Sequence, residues 1–378
     1  GVQTCALPIC PSGRKADELR PIKIIRHSKM KAKIFCLFFL IVLEFIVCPQ
    51  NGWTQDNTIP MIGAYYFDGW SGKNNSQELW AQEAPTHLTE KLYNDYNERQ
   101  PIWGWRNDDL AIMERQIDIA SQNGITFFLF CWYWKKDKGE MDIKSIENHA
   151  SHTSLKLFMK ARNKHKMKFA LLIANHQGAR IEGEDNWLKA MDYMAETYFQ
   201  DSQYLKVENK PVVAFFNAKA AAPSLTKMND YLKTKNYAGL FSISCNDKSK
   251  KYSANSWYNI REHEPGYAYR KEYETLAKNA EVSWYTYPKE YNIIPLVMAG
   301  WDQRPWEKQE KSLYYVNRTP QLFKQHLKNA VQFVNERSCK PKMILIYAWN
   351  EYGEGGYIAP TVGDPKGKYL KMIKEVIR

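Results

Sequence analysis

The sequence predicts an α/β fold, namely a single-domain (β/α)8 barrel of the TIM type. Short apolar segments of β type alternate with amphipathic helical segments throughout residues 58–378. The strand segments are apolar at nearly every position, which is typical of a parallel sheet covered by helices. No glycine-rich turn follows the first strand segment, and this argues against a doubly wound dinucleotide-binding fold.

Seven strands are predicted from hydrophobicity and β propensity, and an eighth is expected near residues 280–287. Eight strands suit a closed barrel better than an open sheet. The seven clearer segments are Met61–Phe67, Thr126–Trp132, Lys168–Ala174, Pro211–Phe216, Leu240–Ser244, Ile293–Ala299 and Met343–Trp349.

Helices are predicted between the strands. The first has the clearest limits, because Asp108 can act as its N-cap and Gly124 can end it. Its expected apolar face, at helical spacing, comprises Leu110, Met113, Ile117 and Ala120. The other helical segments are roughly 152–166, 185–200, 223–235, 319–336 and 366–377.

The first 57 residues are not expected to belong to the barrel. Residues 1–29 lack periodicity, and we interpret them as a spurious N-terminal extension before a start at Met30. Residues 30–57 contain two lysines and then the apolar run Ile34–Val47, as in a secretory signal peptide with a short leader. Export to the periplasm or the cell surface is therefore predicted. An uncleaved N-terminal anchor, which would attach the protein to a membrane, is the alternative.

Charge and cysteine usage argue against nucleic-acid and metal partners. The net charge is +12, but the basic residues are scattered, as on a solvated surface. Beyond residue 57 the cysteines are widely spaced and give neither a disulfide framework nor a zinc pattern. His149 and His152 resemble a metal pair only by their spacing, so no metal or cofactor is predicted.

Aromatic residues make up 14% of the chain, and thirteen of them are tryptophans. Many must be core residues, but some occur in polar, loop-like segments at 68–70, 103–108 and 301–306. Pyranose rings pack their C–H faces on aromatic side chains, while their hydroxyls bind amides and carboxylates. This composition favours a carbohydrate-binding cleft.

Several predicted strands end in residues that are suited to binding a sugar. The carboxyl ends of barrel strands meet at one face, whose loops form the active site. Side chains alternate along a strand, so about half of the aromatic candidates must be core residues instead. The candidates are Tyr65 and Tyr66 near the end of the first strand, Trp132 at the end of the second strand and Trp134 just after it.

Two further candidates have a structural alternative. His176 follows the third strand and is suited equally to a sugar hydroxyl or to a structural hydrogen bond. Trp301, Asp302 and Arg304 combine a ring, an acid and a base in a later loop. This cluster can hold a sugar or form a salt-bridged loop, and we favour sugar contact.

The strongest candidate for catalysis is ILIYAWNEYGEGGYIAP, residues 344–360. A buried strand ends at Asn350, and Glu351 and Glu354 follow among glycines. Residues three apart in a turn have Cβ atoms about 5–6 Å apart, so the two carboxyl groups can share one site and lose their protons in two steps. Glycoside hydrolysis uses such a pair. A solvated pair of loop glutamates is the alternative, but the buried strand and the glycines favour catalysis.

These residues resemble the glycoside hydrolase family 99-like group, which includes WbsX-type polysaccharide-biosynthesis proteins. The similarity extends over nearly all of residues 60–378. Its most specific part is the pattern Asn-Glu-aromatic-x-Glu-Gly after a barrel strand. The segments that carry it are AYYFDGW (64–70), GITFFLFCWYW (124–134), KFALLIAN (168–175), KPVVAF (210–215), MAGWDQRPW (298–306) and AWNEYGEGGYIAP (348–360).

The resemblance implies a (β/α)8 barrel that hydrolyses α-linked glycans, often α-mannosides, with retention of configuration. By position, Glu351 would be the base that removes the proton of the sugar's own 2-hydroxyl, and Glu354 would be the general acid/base for the leaving group. The intermediate would be a 1,2-anhydro sugar, so no third carboxylate is required. Asn350 and Tyr352 would contact the substrate beside them; Tyr352 stands where the family usually has Trp.

Two other functions remain open. One is a glycosyltransferase of surface polysaccharide synthesis, although no Asp-x-Asp pair occurs in the sequence and a signal peptide would separate the enzyme from cytosolic sugar donors. The other is a non-catalytic glycan-binding barrel, against which the intact Glu351 and Glu354 argue. The expected partner is an oligosaccharide or polysaccharide in each case, and we expect a monomer that binds no nucleic acid.

Overall fold

The centre of the protein is a ring of eight parallel strands. The computed structural model describes residues 59–134, 136–137, 140–262, 269–307, 311–337 and 339–377. The N-terminal extension, the predicted signal peptide and the apolar run Ile34–Val47 lie outside these residues. Within them, no helix is both long enough and apolar enough to cross a membrane. The strands are β1 (Met61–Tyr66), β2 (Phe127–Trp132), β3 (Lys168–Ile173), β4 (Lys210–Phe215), β5 (Phe241–Cys245), β6 (Ala254–Ser256), β7 (Leu296–Met298) and β8 (Met343–Tyr347).

The strands are hydrogen-bonded in the order β7-β8-β1-β2-β3-β4-β5-β6, and every neighbouring pair is parallel. A parallel bridge between Asn255 of β6 and Ile293, just before β7, nearly closes the ring. Helices surround the strands, as the hydrophobic pattern predicted. The predicted (β/α)8 barrel is therefore confirmed.

Among the described residues, seven helices of eight or more residues pack around the strands, one after each strand except β5. The first, α1, is capped by Asp109 rather than Asp108, because the Asp109 carboxylate accepts hydrogen bonds from two N–H groups of the first turn. Leu110 is 38% exposed, so it does not belong to the apolar face that was predicted for this helix. The helices are α1 (Leu110–Gln122), α2 (Thr153–Lys160), α3 (Glu184–Met194), α4 (Leu225–Thr234), α5 (Tyr273–Trp284), α6 (Pro320–Glu336) and α7 (Lys368–Val376).

The predicted position of the eighth strand was wrong. Residues 280–287 form the end of α5 and the turn after it, because Tyr273, Leu276 and Ala280 are buried at helical spacing. The eighth strand is β6, which has only three residues and is too polar to show a strand pattern. Residues 246–253 lead from β5 to β6 without the helix that usually joins two parallel strands.

The barrel strands have two distinct buried faces. Tyr66 and Phe130 belong to the apolar cluster that packs against the helices, whereas Tyr65 and Leu129 belong to the cluster that fills the barrel. The Tyr65 hydroxyl lies 3.6 Å from Sγ of Cys245, which comes from the opposite side of the ring. Residues of the inner face at the carboxyl ends of the strands therefore line the mouth of the barrel.

Candidate active site

The two predicted catalytic glutamates lie on a short hairpin that follows β8 at the mouth of the barrel. Asn350–Glu351 pairs antiparallel with Gly356–Tyr357, and one turn of 3-10 helix, Tyr352–Glu354, joins the two. Gly355 ends this turn with a φ of 69°, in the left-handed region that glycine adopts without steric cost. The chain therefore turns back at once and keeps both carboxyl groups at the barrel mouth.

Asn350 fixes this hairpin to the end of β1. Its side-chain oxygen accepts a hydrogen bond from the Phe67 N–H at 2.9 Å, and its side-chain NH2 donates to the Phe67 carbonyl at 2.8 Å. Its own carbonyl accepts a hydrogen bond from Nε1 of Trp70 at 2.9 Å. Asn350 therefore positions the hairpin, and its predicted contact with a substrate stays a prediction.

The two carboxyl groups are almost fully buried, and each is held by a tyrosine hydroxyl. Glu351 is 2% exposed and Glu354 is 6% exposed. The hydroxyl of Tyr258 donates to Oε1 of Glu351, and the hydroxyl of Tyr347 donates to Oε2 of Glu354. The two tyrosine rings meet edge to face with their centroids 5.2 Å apart. The structure therefore brings both carboxyl groups into one site.

Burial and mutual repulsion set the charge of this pair. Burial raises the pKa of Glu351 well above its usual range, and the negative charge of Glu354 raises it further, while the hydrogen bond from Tyr258 opposes the shift. The pair therefore loses its protons in two steps and can keep one near neutral pH. Among the described residues, the buried Oε2 of Glu351 has no hydrogen-bond partner. This oxygen is suited to accept a hydrogen bond from a substrate hydroxyl.

Tyr65 and Trp301 lie beside the two tyrosines that hold the carboxyl groups. The Tyr65 ring centroid is 5.0 Å from that of Tyr258, and its hydroxyl donates to the Trp257 carbonyl at 2.8 Å. The Trp301 ring centroid is 6.0 Å from that of Tyr347. Both rings are thus one side chain away from the carboxyl pair, and their contacts with a sugar stay predictions.

His176 is connected to the carboxyl pair through two aromatic rings, those of Phe216 and Tyr258. Its ring centroid is 6.0 Å from that of Phe216, which in turn lies 5.3 Å from that of Tyr258. Its Nδ1 lies 2.7 Å from the Gln177 carbonyl. The structural hydrogen bond that the sequence left open is therefore present, and a sugar contact through Nε2 stays a prediction.

Tyr66, Trp132 and Trp134 pack in the layer between the barrel and the helices. The Tyr66 hydroxyl donates to Oε1 of Gln116 on α1 at 3.1 Å. The Trp132 ring stacks on His152 with the centroids 5.7 Å apart, and Trp134 is 1% exposed. The alternation of side chains thus assigns these three rings to the core, so the structure does not support the predicted sugar contacts.

Tyr352 is the first residue of the hairpin turn, and its side chain is fully buried. Its ring centroid is 5.1 Å from that of Trp70, 6.0 Å from that of Trp105 and 5.5 Å from that of Tyr357. Burial raises the pKa of its hydroxyl well above the usual range. Tyr352 therefore anchors the turn between the two glutamates, and its ring is enclosed by protein rather than presented to a sugar.

Asp302 is the centre of an ion-pair cluster. Arg99 donates to its Oδ2, and Nε of Arg304 donates to its Oδ1 at 2.8 Å. Burial opposes ionisation, but the hydrogen bond from Arg304 and the charge of Arg99 outweigh it and lower the pKa of Asp302. The Arg304 guanidinium also lies 3.5 Å from the ring centre of Tyr314. The structure thus contains the salt-bridged loop that was the alternative, and it does not support the sugar contact that we favoured.

Two arginines attach the hairpin to the loop after β7. Arg99 donates to the carbonyl of Tyr352 at 3.1 Å and to that of Asp302 at 3.0 Å. Arg318 donates to the carbonyl of Tyr357 at 2.9 Å and to a carbonyl just after β7 at 2.6 Å. One guanidinium therefore holds the turn, and the other holds the returning arm of the hairpin.

Four residues that form or hold this site were not predicted from the sequence, namely Tyr258, Tyr347, Arg99 and Arg318. Tyr258 follows β6 by two residues, so finding the eighth strand would have pointed to it. Tyr347 ends β8 on the inner face, as its alternation with neighbouring residues indicates once the register is known. Arg99 lies in the long connection between β1 and α1, and no sequence pattern marks its contact with a loop so far along the chain.

The histidine pair at positions 149 and 152 takes part in packing and backbone contacts. Nε2 of His152 accepts a hydrogen bond from the Tyr133 N–H at 2.8 Å, and its Nδ1 lies 2.9 Å from the Ile146 carbonyl. The described residues contain no group of three or more His, Cys, Asp or Glu side chains arranged for a metal.

A family model matches more than half of the chain. It is described as Glycosyltransferase WbsX, and it matches residues 105–373. The chain belongs to the WbsX family. The matched range includes β2 to β8 and the hairpin with both glutamates, so the candidate site is part of this WbsX domain. No curated protein matches the chain.

Solved structures share the fold of this WbsX-family protein at low sequence identity. A glycoside hydrolase-like protein is 16% identical with a TM-score of 0.59, and the match covers 85% of this chain and 95% of that one. The GH99 endo-α-mannosidase from Bacteroides thetaiotaomicron is 17% identical with a TM-score of 0.56, over 84% of this chain and 96% of that one. Its complex with BIS-TRIS-propane gives 15% identity and a TM-score of 0.57, over 84% and 95%. The domain is therefore a GH99-like (β/α)8 barrel.

Proposed function

We propose that this WbsX-family protein is a retaining glycoside hydrolase that acts on α-linked glycans, including α-mannan. The observation that carries the proposal is the buried pair of Glu351 and Glu354 at the barrel mouth, each held by its own tyrosine hydroxyl. Two carboxyl groups in one site can protonate the departing oxygen and act on the sugar at the same time. The preference for α-mannan is proposed by analogy with the structurally similar endo-α-mannosidase.

In the first step, Glu354 donates its proton to the glycosidic oxygen as the bond from that oxygen to C1 breaks. Glu351 accepts the proton of the 2-hydroxyl through Oε2, and O2 attacks C1 to give a 1,2-anhydro sugar. In the second step, Glu354 takes a proton from the water that attacks C1, and Glu351 returns its proton to O2. C1 is inverted twice, so the product retains the α configuration.

Two features support the role of Glu351 as the base. Its Oε1 is held by Tyr258, whereas its Oε2 has no partner among the described residues. The raised pKa makes ionised Glu351 a stronger base than an exposed glutamate, which suits proton removal from a sugar hydroxyl. A 2-hydroxyl that donates to Oε2 stabilises the ionised form of Glu351, so substrate binding favours Glu354 as the holder of the shared proton.

Substrates with different leaving groups test these roles. Glu354→Gln should lower the turnover of an α-glycan by about three orders of magnitude. It should slow a dinitrophenyl α-glycoside much less, because that leaving group departs without a proton. Glu351→Gln should slow both substrates alike, since internal attack is lost in both cases.

The matched control is Glu114→Gln, which alters a glutamate of α1 that is paired with Arg162. It should leave turnover of both substrates close to the wild-type values. Equal losses on both substrates in Glu354→Gln would contradict its role as the acid, and wild-type turnover in both hairpin variants would rule out the hydrolase mechanism.

The family description favours a second candidate, a glycosyltransferase of polysaccharide synthesis. A transferase needs a sugar donor, so the two functions differ in their requirement for a nucleotide sugar. Incubation of an α-linked oligosaccharide with and without nucleotide sugars separates them. Shorter products formed without a nucleotide support the hydrolase, whereas elongated products that depend on the nucleotide support the transferase.

We also propose export through residues 30–57, which lie outside the described residues. The motivation is the lysine-led apolar run that ends at Val47. N-terminal sequencing of secreted protein should give a start between residues 48 and 58. A full-length product in the cytosol would contradict export, and a full-length product in the membrane fraction would indicate the uncleaved anchor.

A further inference from the structure

A second aromatic surface lies on the connection between β1 and α1, away from the carboxyl pair. The rings of Trp80 and Tyr93 stack with their centroids 6.4 Å apart and 28° between their planes. Leu79 is 83% exposed and Tyr93 is 45% exposed, whereas Trp80 is partly buried and packs against the core. We name Leu79, Trp80 and Tyr93 the outer shelf. Clustered exposed apolar side chains of this kind mark a binding surface more often than isolated ones do.

The outer shelf is joined to the catalytic hairpin through packed side chains. Its tyrosine belongs to the short helix Glu90–Asp95, whose N-cap residue Thr89 donates from its hydroxyl to the Pro305 carbonyl at 2.8 Å. The next residue, Trp306, packs so closely on Gly353 that a Cβ at that glycine would lie 2.0 Å from the indole ring. Gly353 lies between the two catalytic glutamates in the hairpin turn. The outer shelf therefore belongs to the same mouth of the barrel as the carboxyl pair.

The charge around the outer shelf indicates the chemistry of its ligand. Residues 73–98 contain five acidic and two basic side chains, although the whole chain has a net charge of +12. The same segment exposes the amides of Gln77, Gln82 and Asn94. Acidic surroundings repel an anionic polysaccharide or an anionic lipid surface. Ring faces and amides instead suit the C–H groups and hydroxyls of a neutral sugar.

We infer that the outer shelf is a distal binding site for a neutral polysaccharide whose reacting linkage lies at Glu351 and Glu354. This inference rests on the proposed function, and it narrows the substrate to an uncharged polymer long enough to reach from the hairpin to Tyr93. No bond is made or broken at the shelf. Binding of remote sugar units there stabilises the bound ground state and the transition state alike, so it lowers KM and leaves kcat nearly unchanged.

Affinity electrophoresis tests the outer shelf without any need for turnover. The full chain is run through gels that contain neutral α-mannan or a uronic-acid polymer. The α-mannan should retard the wild type. The double variant Trp80→Ala/Tyr93→Ala should bind it about 10-fold more weakly, since both ring faces on which sugars stack are removed. Tyr285→Ala, which alters a tyrosine that is 53% exposed elsewhere, is the matched control and should bind as the wild type does.

The inference would be overturned by equal retardation of the double variant and the wild type, by stronger retardation by the uronic-acid polymer than by α-mannan, or by an equal loss of affinity in Tyr285→Ala. The conservative variant Trp80→Phe keeps a ring face, so it should retain most of the affinity. A loss in Trp80→Phe as large as in Trp80→Ala would also overturn the inference. Circular dichroism confirms that each variant is folded.

Kinetics separate a failure of the shelf from a failure of the proposed function. With the polymer, the double variant should raise KM about 10-fold with little change in kcat. With an aryl α-mannoside, which does not reach the shelf, its kcat/KM should equal that of the wild type. If the wild type hydrolyses no α-linked glycan, the proposed function fails and the gels alone decide on the shelf. If the wild type hydrolyses the polymer and the double variant has the same KM, the inference about the outer shelf is refuted and the proposed function is not.

Discussion

Tyr258 and Tyr347 bind the two glutamates from different parts of the barrel, although the glutamates are only three positions apart. Tyr258 follows the short strand β6, whereas Tyr347 is the last residue of β8. Two carboxyl groups acquire separate acid and base tasks only if their environments differ. The tyrosine hydroxyls are therefore the groups whose removal should change the chemistry of the pair most selectively.

Tyr258→Phe removes one hydrogen bond from ionised Glu351 and should raise the pKa of Glu351 further above its usual range. Because the proposed base acts in its ionised form, the acidic limb of kcat/KM should move to higher pH. Activity at neutral pH should fall about 10-fold. A pH profile of the variant and the wild type measures both effects.

The control for this profile is Tyr204→Phe, which removes a hydroxyl that donates to the Val212 carbonyl away from the pair. Its profile should match that of the wild type. An unchanged or acid-shifted limb in Tyr258→Phe would show that the hydroxyl does not favour the ionised form of Glu351.

Single residues were predictable from the sequence where their neighbours are local. Glu351 and Glu354 could be paired because a strand, a turn and glycines are contiguous around them. The role of Asp302 could not be predicted, because its ion-pair partner Arg99 comes from a different connection of the barrel. Tyr65 and Tyr66 could be recognised as opposite faces of one strand, but only the fold decides which face is inside.

At the scale of elements, the hairpin that carries Glu351 and Glu354 depends on arginines that bind carbonyl groups. The Arg318 guanidinium lies 4.1 Å from the ring centre of Tyr369 and 4.8 Å from that of Tyr357, so it is held in place by stacking as well as by hydrogen bonds. Both guanidiniums join the loop after β7 to the hairpin. A small displacement of the hairpin would move the carboxyl groups relative to a bound sugar.

Arg318→Met should lower kcat at least about 10-fold with little effect on KM, because misplacement of reacting groups costs rate more than binding. Arg318→Lys keeps a donor and should recover part of the rate. Steady-state kinetics on an α-linked oligosaccharide measure both. Arg337→Met, which alters an arginine bound to the Tyr287 carbonyl far from the hairpin, is the control. A kcat in Arg318→Met equal to that of the control would contradict the positioning role.

The elements themselves were largely predictable, because seven strands and most helices carry a hydrophobic period. β6 was not predicted, because three residues cannot display a hydrophobic period and its pairing with β5 depends on the rest of the barrel. The strong apolar pattern near residue 284 was misinterpreted as a strand because a buried amphipathic helix also contains β-branched and aromatic residues. The same error concealed Tyr258.

At the scale of the whole molecule, the buried pair links stability to pH. The pKa of Glu351 is raised in the folded state, so the folded protein binds this proton more tightly than the unfolded chain does. The stabilisation is complete below the ordinary glutamate pKa of 4.5 and is lost as pH rises through the raised pKa of the folded state. The site thus reduces the free energy of unfolding at neutral pH.

Glu351→Gln cannot ionise and should therefore unfold at a higher temperature than the wild type. The difference should grow from about pH 4.5 to pH 8 and reach a few degrees. Thermal unfolding across this pH range measures it. Glu114→Gln is a control of opposite sign, because hydrogen bonds from Arg162 lower the pKa of Glu114 to about 2. A difference that stays constant or shrinks with pH in Glu351→Gln would contradict the buried-charge account.

The central claim is that a GH99-like barrel of the WbsX family uses Glu351 and Glu354 to hydrolyse α-linked glycans with retention. The most direct measurement is proton NMR of the first products released from a panel of α-mannans and α-glucans by the wild type and by Glu351→Gln. We predict that the wild type releases sugars with an α-anomeric reducing end before mutarotation and that the variant releases almost none. First products with a β-anomeric end, or equal release by the variant, would contradict the account.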